Sequence, residues 1–200
     1  MTRIRGPKLN FDGSNVSCTT YSGVPISVAN VAKAVITIDC DSASNPAVTS
    51  GAANVVATSV LGLYSEYRYN SCRIEYIPSI GPAGVDAGSR IHIAYIDNAE
   101  KMLAFFTASA AASLNLVRGC RNVRTFNGWE RFTYNVPLTW RRRVFDTNTT
   151  TGVAVVDLYE RATQGMVIVA VETISAAVIL GTFKVDSSVR VEQLNVTLTT

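Results

Sequence analysis

Polar and apolar residues alternate with a period of two over several long stretches, as in strands that turn one face to a core and the other to water. In WERFTYNVPLTW, residues 129–140, Phe132, Tyr134, Val136, Leu138 and Trp140 share one parity, while Arg131, Thr133, Asn135 and Thr139 hold the other. Pro137 has no ladder donor, so this strand is expected at an edge or bent at that point. In GTFKVDSSVRVEQL, residues 181–194, Phe183, Val185, Val189 and Val191 oppose Lys184, Asp186, Arg190 and Glu192. AVITIDC, SRIHIAYID, VAVVDLY and GMVIVAVETIS add β-branched runs bounded by Gly, Ser, Asn or Asp. With YSEYRYNSCRIEYIP, Tyr64 to Pro78, they predict at least seven strands.

Only two segments carry helical spacing. One runs from Ser59 to Glu66 with Val60, Leu61 and Tyr64 on one face, and an alanine-rich one runs from about Glu100 to Leu116. No repeat is visible at the spacing of propellers or solenoids. Many strands with long, irregular connections point to a two-sheet sandwich, whose common form at this size is the eight-stranded antiparallel jelly roll. The expected fold is therefore an all-β jelly-roll β-sandwich with two short helical insertions.

Composition supports one domain, since 200 residues of which 48% are hydrophobic can bury a sizeable core. The net charge of +3 falls well short of a dedicated nucleic-acid binder. Cys18, Cys40, Cys72 and Cys120 lack CxxC spacing and read as reduced, mostly buried thiols. The start MTRIRGPKLN has no apolar signal region, and no apolar run approaches the roughly 20 residues of a membrane span.

The order of the pieces is more specific than any one of them. A short predicted helix runs into YSEYRYNSCRIEYIPSIGPAGVDAGSRIHIAYIDNAE, which resembles the shell domains of icosahedral virus capsid proteins, especially those of tombusvirus-like and sobemovirus-like plant RNA viruses. Tyr64, Tyr67, Arg68, Tyr76, Pro78, Gly88 and Asp97 carry that pattern, and ILGTFKVDSSVRVEQLN is similar to the family's last strand. Related jelly rolls occur in capsids of small circular single-stranded DNA viruses. The resemblance implies a subunit located in the virion that assembles with copies of itself around a single-stranded genome, RNA favoured over DNA. It places residues 1–30 in an N-terminal arm and lead-in segment and 31–200 in the shell domain, with no protruding domain and with outward features supplied by loops 78–89 and 146–152. The strand from Tyr64 to Pro78 would lie mid-sheet and present Arg73 and Glu75 to solvent or to a neighbour.

The single histidine, His92, sits mid-strand, and no G-x-S-x-G, HExxH, P-loop or GxGxxG is present. No enzyme is expected. In the resembling capsids, carboxylates after the Asp-terminated strand help bind calcium between subunits, so Asp97 and Glu100 of DNAE are candidate metal ligands. The same residues also read as a helix cap, with Asp97 as the capping residue and Glu100 completing a capping box. Contact with nucleic acid would run through lysines and arginines at phosphates. Arg3, Arg5 and Lys8 form a short basic start, and Arg141, Arg142 and Arg143 in WRRRVFD are the densest positive charge. Trp129, Trp140, Phe105 and Phe106 are candidate self-association residues or plain core. The rival function is a small carbohydrate- or ligand-binding β-sandwich, for which DTNTTTG offers Asp146 and Asn148.

Overall fold

A computed structural model describes residues 8–12, 15–25, 31–39, 64–84, 86–138, 145–146, 163–172 and 179–194. Ten strands and two helices lie within them: β1 (Lys8–Asp12), β2 (Asn15–Pro25), β3 (Val31–Asp39), β4 (Tyr64–Pro78), β5 (Arg90–Ile96), α1 (Ala99–Thr107), α2 (Ala110–Arg118), β6 (Arg124–Asn127), β7 (Phe132–Asn135), β8 (Phe145–Asp146), β9 (Thr163–Glu172) and β10 (Ile179–Leu194). The first sheet runs β1-β2-β10-β4-β7, with β8 also on β4, and the second runs β3-β9-β5-β6. Every pairing is antiparallel.

Among the described strands the chain changes sheet six times, between β2 and β3, β3 and β4, β4 and β5, β6 and β7, β8 and β9, and β9 and β10. Registers place four of these crossings, β2–β3, β4–β5, β6–β7 and β9–β10, at one end. Pro25 lies opposite Ile179, Pro78 opposite Gly181 and Tyr76 opposite Phe132 in the first sheet, while Val31 and Arg90 both lie opposite Glu172 and Arg90 opposite Asn127 in the second. This is the jelly-roll wrapping, with β1 added outside β2. The expected all-β fold is the observed one.

The core explains which strands alternate and which do not. Cys72, Ile74 and Tyr76 of β4 are buried between the sheets with Ile91, Ile93 and Tyr95 of β5 and Val167, Val169 and Val171 of β9. Arg73 points outward and is exposed, as the alternation of β4 requires. Gln164 to Val171 are buried without interruption. The reason is a third layer: Met166, Ile168 and Ala170, with Ala94 and Ile96 of β5, pack against Met102 and Phe105 of α1 and Leu114 and Val117 of α2. A strand covered on both faces has no polar parity to show.

An aromatic cluster closes the end that carries the β4–β5 and β6–β7 crossings. Phe126 and Phe132 stack with ring centroids 3.8 Å apart, and Tyr76 lies 5.1 Å from Phe132 and 5.3 Å from Phe183. The Tyr76 hydroxyl donates to the Gly128 carbonyl at 2.7 Å, tying this cluster to the β6–β7 turn. Burial pushes that phenol's pKa up, so it stays a donor.

Three expectations change at the level of elements. The predicted helix over 59–66 meets strand from Tyr64 onward, because Tyr64, Glu66 and Tyr67 pair with Leu194, Glu192 and Val191; residues 59–63 lie outside those described. The single helix over 100–116 is two, divided where Ala108 turns extended and Ser109 accepts from the Ala112 amide at 3.3 Å to start α2. Residues 15–25, read as lead-in to the shell domain, pair with β10 from Pro25 to Asn15. Strand VAVVDLY, at residues 153–159, lies outside the described residues.

Candidate functional site

The carboxylates proposed for metal binding follow β5 and open α1. Asn98, with φ −98° and ψ 122°, is the residue that caps the helix: its Oδ1 accepts from the Lys101 amide at 3.0 Å. The expected cap at Asp97 is therefore displaced by one residue. Asp97 stands just outside the helix, half-buried, and Glu100 is exposed in its first turn. A carboxylate there is favoured by the positive end of the helix without any metal. Among the described residues no group of three or more His, Cys, Asp or Glu is placed to hold an ion. Asp97 and Glu100 fit a hard divalent cation by donor type but supply too few oxygens alone.

Of the basic candidates, Arg3, Arg5, Arg141, Arg142 and Arg143 lie outside the described residues, and Lys8 begins β1 opposite Thr19. The three arginines fall between β7 and β8, where 136–144 separate ends whose partners on β4 are separated only by 68–72.

The structure assembles a different charged surface that the sequence showed only as parity. On the outer face of the first sheet, Arg73 lies opposite Asp186 and Glu75 opposite Lys184. Lys184 Nζ approaches Asp186 at 2.8 Å and Glu75 at 3.8 Å. Arg131 Nε donates to Glu75 at 2.9 Å, and its Nη2 makes a second bond to the same oxygen. This lattice largely neutralises itself, so long-range attraction for a polyanion is weak there. One rung differs: Arg68 lies directly opposite Arg190.

His92 behaves as the strand-face histidine expected. It is 3% exposed on the helix side of the second sheet. Its Nδ1 lies 2.8 Å from Thr125 Oγ1, and its Nε2 lies 3.0 Å from Glu172 Oε2. Ionised Glu172 can only accept, so Nε2 carries the hydrogen of that bond. Arg118 Nη2, from the last turn of α2, reaches the same Glu172 oxygen at 2.6 Å. Chiefly through the His92 hydrogen bond, and also through Arg118, the Glu172 carboxyl is held below its ordinary pKa. The trio joins helix layer to sheet.

The self-association candidates separate cleanly. Phe105 is core, whereas Trp129 is 37% exposed; Trp140 and the Phe106 side chain lie outside the described residues. Cys72 is a buried free thiol whose pKa is pushed up to about 12 by burial, and Cys120 is half-buried and free. No described helix is long and apolar enough to cross a membrane.

No protein-family model matches the chain, and no curated protein matches it. Solved structures do match. The structure of tobacco necrosis virus aligns with 97% of this chain and 90% of its own, at TM-score 0.68 and 11% identity. The X-ray structure of melon necrotic spot virus aligns with 97% of this chain at TM-score 0.67 and 17% identity, but this chain spans only 55% of it. A T=1 subviral particle of a deletion mutant of the Penaeus vannamei nodavirus capsid protein aligns over 86% of this chain and 96% of its own, at TM-score 0.57 and 11% identity. The fold is thus shared with viral shell structures.

Proposed function

We propose that this chain is a viral capsid subunit that self-assembles into a closed icosahedral shell around a single-stranded genome, RNA being favoured. The observation that carries this reading is the extent of the match: 97% of the chain aligns with the structure of tobacco necrosis virus and covers 90% of it. Many modest contacts between copies sum to a stable closed shell. The subunit works by contact and carries out no reaction.

Within that function, Arg3, Arg5, Lys8, Arg141, Arg142 and Arg143 would neutralise genome phosphates without reading sequence. Asp97 and Glu100 would hold a calcium ion together with oxygens contributed by a neighbouring subunit, since among the described residues of one chain too few ligands lie together.

The test is negative-stain electron microscopy and sedimentation of the purified protein, with and without chelator and with and without single-stranded RNA. Closed particles are expected. Swelling or dissociation on chelation, abolished in Asp97→Asn with Glu100→Gln, would establish the shared metal site. A monomer or small oligomer under every condition would overturn the capsid reading in favour of a small binding module.

A further inference from the structure

The end of the sandwich that carries the β4–β5 and β6–β7 crossings holds a partly exposed aromatic residue and, beside it, an exposed turn. Trp129 is the third residue of a tight turn closed by the Glu130 amide donating to the Asn127 carbonyl at 3.0 Å. Gly128, next to it, is held from both sides: its amide donates to Ser89 at 2.8 Å, and its carbonyl accepts from the buried Tyr76 hydroxyl at 2.7 Å. A Cβ on Gly128 would lie 3.2 Å from the Ser89 Cβ, so the turn is packed down onto the loop between β4 and β5. The stacked Phe126 and Phe132 flank it in sequence and lie in or against the core. Trp129 is therefore exposed from a rigid base and loses little conformational freedom when it is covered.

The neighbouring loop is complementary. Gly81, Pro82, Ala83 and Gly84 are all exposed and none has a long side chain. Three successive backbone bonds stiffen this loop: Gly84 to Gly81 at 3.1 Å, Ala87 to Gly84 at 3.0 Å and Ser89 to Asp86 at 2.9 Å. Ile80, just before it in sequence, packs against the core, and a Cβ built on Gly81 meets no atom within 4 Å. Charges match as well: exposed Glu130 flanks Trp129, and exposed Arg90 stands at the root of the loop.

We infer that Trp129 of one subunit docks on the Gly81–Gly84 turn of the next copy, making a head-to-tail contact around a rotation axis at this end of the sandwich. The inference rests on the capsid reading. Repeated head to tail about a rotation axis, as a closed shell requires, a protruding group and a receiving surface on different elements of the same end close a ring. An aromatic anchor in a small-residue surface is also the composition of an interface hot spot.

Trp129→Ala removes the anchor and Gly81→Glu fills the receiving surface, the latter at a position where the fold has open space. Both are compared with the wild-type protein by sedimentation and electron microscopy, with circular dichroism and thermal melting of the unassembled subunit alongside. The expected result is a particle yield lowered about tenfold or more in both, as for truncating a hot spot, with the Gly81→Glu subunit melting as wild type. Undiminished assembly of both variants overturns the contact. So does a Trp129→Ala subunit that melts lower while Gly81→Glu assembles normally, because Trp129 is then covered by its own chain. Absence of particles from the wild-type protein is a separate failure: it removes the capsid reading first and this contact with it.

Discussion

Gly165 sits at φ +146°, a conformation side chains rarely adopt, with the Tyr95 ring over its α-carbon. A Cβ there would lie 2.6 Å from the ring, whose hydroxyl is held by the neighbouring Gln164 carbonyl at 2.8 Å. Tyr95 cannot swing away without losing that bond and opening the core. Gly165→Ala is expected to cost about 2–3 kcal/mol through combined strain and overpacking. For a domain of this size, melting should fall by roughly 5–10 °C, read by circular dichroism, while Gly81→Ala, in open space, should leave it unchanged. Equal melting of the two variants would show that Tyr95 relocates freely.

Elements are delimited here by short polar side chains at their ends. Asn98 starts α1 and Ser109 starts α2, each accepting from the backbone amide three residues on. Loss of such a cap costs typically about 1 kcal/mol, so Asn98→Ala is expected to lower the unfolding free energy by that amount in urea titrations. Asp97→Ala should cost less, since it stands outside the helix and does not make the capping bond. A larger loss for Asp97→Ala would mean that the carboxylate, not the amide, organises this helix start. The comparison also separates capping from metal binding, because a calcium role for Asp97 would appear as a chelator effect on assembled particles and not on the isolated subunit.

For the molecule as a whole, one polar tie joins the helix layer to the second sheet, through Arg118, Glu172, His92 and Thr125. Glu172 has its pKa lowered in the folded protein from an ordinary 4.5, so its contribution to stability is complete above that value and is lost as pH falls through the folded pKa. Glu172→Gln cannot ionise. The stability difference between wild type and this variant should therefore be largest near neutral pH and shrink as pH falls below the ordinary carboxyl value of 4.5 and through the lowered folded one, as measured by urea unfolding at a series of pH values. A difference independent of pH would assign Glu172 a packing role only.

Much of this was legible in the chain. The alternation in residues 181–194 and 129–140 reports strands with one wet face; β10 spans the first, and β7 realises only Phe132–Asn135 of the second. Pro137 follows β7, which lies at a sheet edge as a residue without a donor requires. Tyr64 to Pro78 is one strand from end to end, with Arg73 outward. Local pattern could see these because burial of one face is written into every second residue. It could not see β2, whose NVSCTTYSGVP has little apolar parity and is held in place by pairing with β1 and β10. Nor could it see that β4 turns Glu75 toward Lys184 and Arg131, or that His92, Glu172 and Arg118 meet, because those residues are brought together only when distant strands and a helix pack. The same holds for Trp129. Its neighbours in sequence suit core or surface equally, and it is the anchoring of Gly128 by Tyr76 and Ser89, far apart in the chain, that leaves the indole outside. Side-chain period is a property of neighbours along the backbone; juxtaposition across sheets is a property of topology, which one chain's local chemistry does not contain.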